Sequence, residues 1–325
     1  MAMIHDVRCA NARFSPWRVA GRGRHRSANH LGPGRRAAAL LWLGAALLAA
    51  PPGNAQAAEA EAHYLANEGV MVSRGETRIL FDPLFENDYG HYQLLPEAMR
   101  EALLAGRAPY DGVDAVFVSH YHEDHFSPAL LVEYLRAQPT VRLYAPAQAV
   151  AALREAAGAD WPLLEERVTP LALAYGGAPV IRRLPGLEIE AVRIPHAGWP
   201  RARTEVENLA FRITLEDAIT VLHLGDADTR DLHFAHHADH WAARTLHLAL
   251  PPYWFMTRDE GRQVLTSRLR ALRVTGIHVP TRLPSEPGLR PPEYRALDLF
   301  TRPGEIRRIP QRVEGEPGQG LGPDR

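Results

Sequence analysis

The chain of 325 residues contains no lysine, so all 37 basic residues are arginine, and its single cysteine is Cys9. The missing lysine reflects coding bias and carries no functional weight. The missing thiols exclude more. From residue 10 onward there can be no disulfide, cysteine nucleophile, thiolate metal site, iron–sulfur cluster or lipoprotein cysteine. Long apolar runs are also lacking. The longest, Ala37–Ala50 (AAALLWLGAALLAA), has 14 residues, whereas a membrane span needs about 20. Positive charge is scarce outside the start. Residues 1–36 hold eight Arg against Asp6, while the whole chain sums to −1, which leaves the remainder at −8. An acidic body argues against nucleic acid as a partner, since that needs a basic face.

What is present first is a leader. Arg35-Arg36 precede the apolar run, and Ala55-Gln56-Ala57 follows it. A basic region, a core of about 7–15 apolar residues and a small-x-small site form a secretory signal. We therefore expect residues 1–57 to be removed after Ala57 and the protein to be exported, to a bacterial periplasm or beyond, with no stable membrane anchor left. The 268 residues after Ala57 suit one large domain, expected over 58–301, with a Pro/Gly-rich tail over 302–325.

The body alternates strand and helix patterns. Val70–Ser73 and Arg78–Phe81 predict a hairpin around Arg74–Thr77, and AVFVS at Ala115–Ser119 a buried strand. Pro128–Ala137 predicts a helix with Ser127 as N-cap and Pro128 in the first turn. Pro96–Ala105, Ala147–Ala157 and Asp259–Ala271 read as further helices. Val141–Tyr144, Leu187–Ile194, Leu209–Thr214, Ile219–Leu224, Leu246–Leu250 and Val274–Val279 read as strands. This density predicts an α+β fold with a sheet core covered by helices.

The chemistry concentrates at Ser119-His120-Tyr121-His122-Glu123-Asp124-His125-Phe126. In extended chain, residues two apart point the same way, so His120 and His122 can aim at one point. The turn into the next helix brings Asp124 and His125 to a neighbouring point. Imidazoles and carboxylates are what divalent transition metals bind, and four such ligands in six residues could serve two adjacent ions. His196, Asp226 and His278 each sit at or just past a predicted strand, where sites form. Asp226 is the natural carboxylate to bridge two cations.

This ordered set, HxHxDH at 120–125 followed by His196, Asp226 and His278, resembles the motif series of the metallo-β-lactamase superfamily. Phe81-Asp82-Pro83, Glu207-Asn208-Leu209 and Val221–Asp228 (VLHLGDAD) resemble further segments of its broad hydrolase branch, including relatives of ascorbate-phosphate lactonase. The resemblance covers roughly His63 to Thr301. It implies a four-layer αββα sandwich with two metals at one edge. Residue by residue it implies His120, His122 and His196 for one ion, Asp124, His125 and His278 for the other, and Asp226 between them. Asp82 would stand behind a ligand imidazole and hold its tautomer. The implied cofactors are two divalent ions, zinc by default, with manganese or iron as alternatives. The implied activity is hydrolysis of an ester, lactone, amide or phosphodiester in a small molecule by a metal-bridging hydroxide. Asp226 and Asp124 would be catalytic, with Asp124 or a metal-bound water returning the proton to the leaving group.

Spacing narrows the branch. Only 51 residues separate Asp226 from His278 and only 47 follow His278. The first gap is too short for the insert of RNA-cleaving members, the second for the helical domain of glyoxalase II. Common β-lactam-hydrolysing members need a cysteine ligand and lack the equivalent of His125. An iron oxygenase or sulfur-oxidising enzyme on the same fold, and a non-catalytic periplasmic metal-binding protein, stay open as other classes. The aromatic stretch Pro251-Pro252-Tyr253-Trp254-Phe255 is expected near the site rim or in the core, and Arg282 could meet an anionic substrate. Residues 223–247 hold six histidines. They are expected as an exposed helix or loop plus core positions such as His223 and His247, with an auxiliary metal-capture role as the alternative.

Overall fold

In a computed structural model of the chain, residues 58–311 are described; the expected leader and the end of the expected tail lie outside them. Six strands in order build the first sheet: β1 (Ala60–Ala66), β2 (Gly69–Arg74), β3 (Thr77–Phe81), β4 (Ala115–Phe117), β5 (Arg142–Pro146) and β6 (Val168–Leu171). The second contains β7 (Val180–Leu184), β8 (Leu187–Arg193), β9 (Leu209–Leu215), β10 (Ile219–His223), β11 (Leu248–Leu250) and β12 (Arg273–Val274). A last strand, β13 (Ile306–Arg308), returns to the first sheet beside β1. The spatial orders are β13-β1-β2-β3-β4-β5-β6 and β12-β11-β10-β9-β8-β7. In each sheet meandering antiparallel strands pass into parallel strands joined by helical crossovers.

Side-chain alternation explains the layers. Ile79 and Phe81 of β3 point between the sheets, with Ala115 and Phe117 of β4, Phe211 and Ile213 of β9 and Val221 of β10. The intervening Leu80 and Val116 point outward onto the helices α1 (Glu97–Leu104), α2 (Pro128–Ala137) and α3 (Ala147–Ala157). Leu222 and Ala249 of the second sheet point outward onto Phe234, Trp241, Phe255 and Val264. A strand buried on both faces has to be apolar throughout, and Ala115–Phe117 is fully buried. The result is a sandwich of helices, sheet, sheet and helices. Among the described residues no helix is long and apolar enough to cross a membrane.

Local signals predicted several elements well. The β2–β3 hairpin turns at Gly75-Glu76. Ser127 Oγ accepts the Leu130 N–H at 3.4 Å, and Pro128 opens α2. Three expectations need correction. The helix expected over 259–271 is α-helical only over Asp259–Gln263, continues as a π-turn over Val264–Leu269, and stops at Arg270 in left-handed geometry. The strand expected over 274–279 is regular only at Val274, the last residue of β12. Beyond Val274 the parallel ladder continues only irregularly, with Thr275 N–H donating to Ala249 O, Ile277 N–H to Pro251 O and Tyr253 N–H to Ile277 O. The chain after Thr301 is not all tail, because β13 closes the edge of the first sheet and Ile309 N–H bonds Ala60 O.

Phe117 is the hub of the inter-sheet core, with ring centroids 5.4 Å from Phe81, 5.5 Å from Tyr144 and 5.2 Å from Phe211. Phe117→Ala should cost about 3–5 kcal/mol in urea denaturation. A loss below about 1 kcal/mol would mean that the core closes without this ring.

Candidate metal centre

The seven residues of the motif series converge at one edge of the sandwich, where strand ends from both sheets meet. After β4 the chain leaves the first sheet, and Ser119 O accepts the N–H of Leu209 at the start of β9, so the HxHxDH loop spans the two sheets. His125 and Phe126 N–H both return to His122 O at 3.0 Å, which makes the turn that presents Asp124 and His125. Asn67, between β1 and β2, pins this turn. Its Nδ2 donates to Asp124 O at 2.9 Å, and its carbonyl accepts the His278 N–H at 3.0 Å.

The loops bearing His196 and Asp226 pair with each other. Ala197 N–H donates to Asp226 O at 2.7 Å and Asp228 N–H to Pro195 O at 2.8 Å. Asn208 locks this corner from beneath. Its Nδ2 donates to Ile194 O and Leu224 O, and its Oδ1 accepts the Asp226 N–H at 3.0 Å. His278 takes left-handed backbone, φ 58°. Its ring is boxed edge-on by Tyr92, centroids 4.2 Å apart, and by Trp254 at 5.2 Å.

Ligand-type atoms gather in two adjoining groups, each with all its atoms within 4.8 Å of one another. One is His120, His122, His196 and Asp226; the other is Glu68, His125, Asp226 and His278. Asp226 belongs to both. Its Oδ2 lies 3.1 Å from His196 Nε2, and its Oδ1 3.2 Å from His278 Nε2 and 3.6 Å from His125 Nε2. Asp124 Oδ2 flanks the second group, 3.3 Å from His278 Nε2 and 3.7 Å from His125 Nε2. In the first group three ring nitrogens crowd together, with His122 Nδ1 3.0 Å from His120 Nε2 and 3.2 Å from His196 Nε2.

Tautomers follow from the outer partners. Asp82, itself at φ 37°, accepts the Ser119 N–H at 2.7 Å, the Ser119 hydroxyl at 2.5 Å and His125 Nδ1 at 3.0 Å. Ser119 Oγ, having given its proton to Asp82, accepts from His120 Nδ1 at 3.0 Å. His196 Nδ1 donates to Ala197 O at 2.9 Å. Each bond places the proton on the outer nitrogen and leaves the Nε2 lone pair facing the cluster. His125 Nε2, both His278 ring nitrogens and Asp226 Oδ1 are buried without a hydrogen-bond partner. Buried polar atoms normally find partners, and four orphans lying this close fit a cation-binding site.

Electrostatics keep His120 and His122 neutral and Asp226 charged, and at His125 they favour a positive charge. Burial, with His125 nearby, holds His120 well below the ordinary histidine range. Burial and the neighbouring His196 push His122 down to about 4. Burial alone would raise Asp226, but His278, His125 and His196 outweigh it and hold the carboxyl well below its usual range. Burial opposes a charge on His125, yet Asp124, Asp226, Glu68 and the hydrogen bond to Asp82 together lift it well above the usual value. Four negative or polar groups around one imidazole are an environment that welcomes positive charge.

Sequence reasoning missed Glu68, which enters the second group from the β1–β2 connection, and the role of Asn67 beside it. Glu68 has no motif signal and reads as a turn residue in LANEGV. His223 was expected in the core and is fully buried. It stacks on Phe81 at 4.9 Å, accepts from Gly225 N–H and donates to Glu68 O. The rest of the histidine-rich segment is a correction. It forms two short helices, Asp231–Ala235 and Ala238–Ala242; His233 and His237 are buried, His240 is half-buried, and His236, between the helices, is exposed. Trp254 alone of the aromatic stretch borders the site, because Phe255 is buried in the outer core. Arg282 lines a separate cavity with Tyr253 and Tyr294. Above the cluster a cavity of about 320 Å³ opens, walled by Tyr89, Tyr92 and Trp254 with Arg203 and Arg258 at its mouth.

The family model of the beta-lactamase superfamily domain matches residues 77–271. The chain belongs to that superfamily. Among solved structures it is similar to Igni18, a metallo hydrolase from the archaeon Ignicoccus hospitalis, at 15% identity and TM-score 0.50, covering 78% of this chain and 100% of that one. A possible metal-dependent hydrolase from Veillonella parvula matches at 16% identity and TM-score 0.49, covering 78% and 100%. An isothiocyanate hydrolase from Delia radicum gut bacteria matches at 15% and 0.49, covering 76% and 98%. No curated protein sequence matches significantly. The first of these supports the sandwich fold expected from the motifs.

The corner under Asp226 depends on Gly225, at φ 52°. A Cβ there would lie 2.4 Å from Asn208 Oδ1 and 2.6 Å from Ser119 Cβ. Gly90 is also left-handed, but a Cβ there would meet nothing within 4 Å. Gly90→Ala should cost about 1 kcal/mol from backbone conformation alone, and Gly225→Ala at least about 2 kcal/mol more by overpacking. Thermal melts of the two variants compare them directly, and equal losses would contradict the crowding described here.

Proposed function

We propose that the protein is an exported hydrolase that uses two divalent cations to cleave an ester, lactone, amide or phosphodiester bond in a small molecule. The observation that carries this reading is the Asp226 carboxylate, with one oxygen turned to each of two histidine groups whose lone pairs face inward. His120, His122 and His196 would hold one ion and His125, His278 and Asp124 the other, with Asp226 serving both. When bound, such ions supply an acidified water and Lewis-acid stabilisation of developing negative charge. Zinc suits the imidazoles, and manganese would suit the carboxylates.

The chain's own groups supply the rest. Asp82, through His125 directly and His120 by way of Ser119, fixes two imidazoles in the tautomer that can donate a lone pair. Asp124 borders the cavity as well as the cluster, so its carboxylate is placed to take a proton from the attacking water and pass it to the leaving group. Tyr92 and Trp254 give the cavity an aromatic wall beside His278. Arg203 and Arg258, exposed at the mouth, would attract a substrate carrying negative charge. The export part of the reading rests on Arg35-Arg36, the 14-residue apolar run and Ala55-Gln56-Ala57.

Protein purified without a histidine tag should contain about two equivalents of divalent metal by mass spectrometry, and Asp226→Ala should lose metal and hydrolytic activity together. A panel of esters, lactones, amides and phosphodiesters would find the reactive class. Full activity in His120→Ala or Asp226→Ala would refute the mechanism.

A further inference from the structure

Glu68 is 0% exposed, and neither carboxylate oxygen has a hydrogen-bond partner. The nearest donors are already committed. His125 Nδ1, 3.5 Å away, bonds Asp82 at 3.0 Å. His223 Nε2, 3.6 Å away, donates to the Glu68 main-chain oxygen at 3.0 Å. A buried carboxylate without donors is costly, and proteins keep one when a cation compensates it. Two groups of ligand atoms include Glu68. One joins it to Asp82 and His223, the other to His125, Asp226 and His278. In the first, both Asp82 oxygens and both His223 nitrogens are already hydrogen-bonded, so a cation there would compete with existing partners. In the second, His125 Nε2, His278 Nε2 and Asp226 Oδ1 are unpartnered like Glu68 itself.

We propose that Glu68 is a ligand of the second cation, alongside His125, His278, Asp124 and the shared Asp226. This rests on the two-cation reading above and extends the ligand set beyond the motif series. It makes the two sites chemically unequal. The His120 site is imidazole-rich and suited to zinc, whereas the Glu68 site draws oxygen from three carboxylates and suits manganese.

The test is titration of the metal-free full-length protein with zinc by calorimetry and with manganese by electron paramagnetic resonance. Wild type should take one tight zinc equivalent and one manganese equivalent. Glu68→Gln, close to isosteric, should keep the zinc equivalent and the metal-free melting temperature but bind manganese 10–100-fold more weakly. Glu68→Asp, which keeps the charge but shortens the reach, should lose less affinity and covers the case in which the Gln variant does not fold. Unchanged manganese affinity in a folded variant would overturn the role of Glu68 alone. A wild type that takes only one equivalent would overturn the two-cation reading with it.

Discussion

One buried carboxylate organises this molecule. Asp226 turns one oxygen to His196 and the other to His278 and His125, and the loops at this edge of the sandwich serve to hold it there. Its main chain is fixed by Asn208, by the bridge to the His196 loop and by the left-handed turn at Gly225. An unpaired carboxylate in an apolar interior is heavily penalised. A cation held among the inward-facing imidazole lone pairs would offset the penalty. Charge compensation therefore links the packing of the sheets to the chemistry at their edge.

The sandwich makes this possible because it splits the work between two sheets. The first sheet presents His120, His122, Asp124 and His125 on the loop after β4. The second presents His196 and Asp226 on loops after β8 and β10, and His278 lies beyond β12. The polar layer beneath, Asp82, Ser119 and His223, is fully buried yet largely hydrogen-bonded, so it sets tautomers rather than binding anything itself. Glu68 is the exception in that layer, and its unmet oxygens set it apart. Strain collects here too, with Asn67, Asp82 and His278 all at positive φ, a cost tolerated where function fixes the backbone.

Much of the site was legible in the sequence because its residues are of metal-binding type and fall at strand ends. Periodicity located the strands that deliver His120, His196 and Asp226. His278 was harder to place, since the strand expected around it becomes irregular after Val274. A Cβ on Gly276 would sit 2.5 Å from Leu299 and 2.8 Å from Met256 Sδ, a packing requirement no periodicity encodes. Glu68 was illegible for a related reason. A lone acidic residue between two strands reads as a solvated turn, and only the tertiary fold buries it against His125. Strands β6 and β7 escaped because short or polar segments gain their pairing from neighbours rather than from pattern. The buried histidines of the 231–242 helices were taken as surface because polar composition outweighed a weak helical period.

The central claim is that Asp226 joins two cation sites, and anomalous diffraction from metal-loaded crystals tests it most directly. The account predicts two peaks, one within bonding reach of His120, His122 and His196, the other of His125 and His278, with an Asp226 oxygen at each. A single peak, or two peaks that leave Asp226 without a bond to either ion, would contradict it.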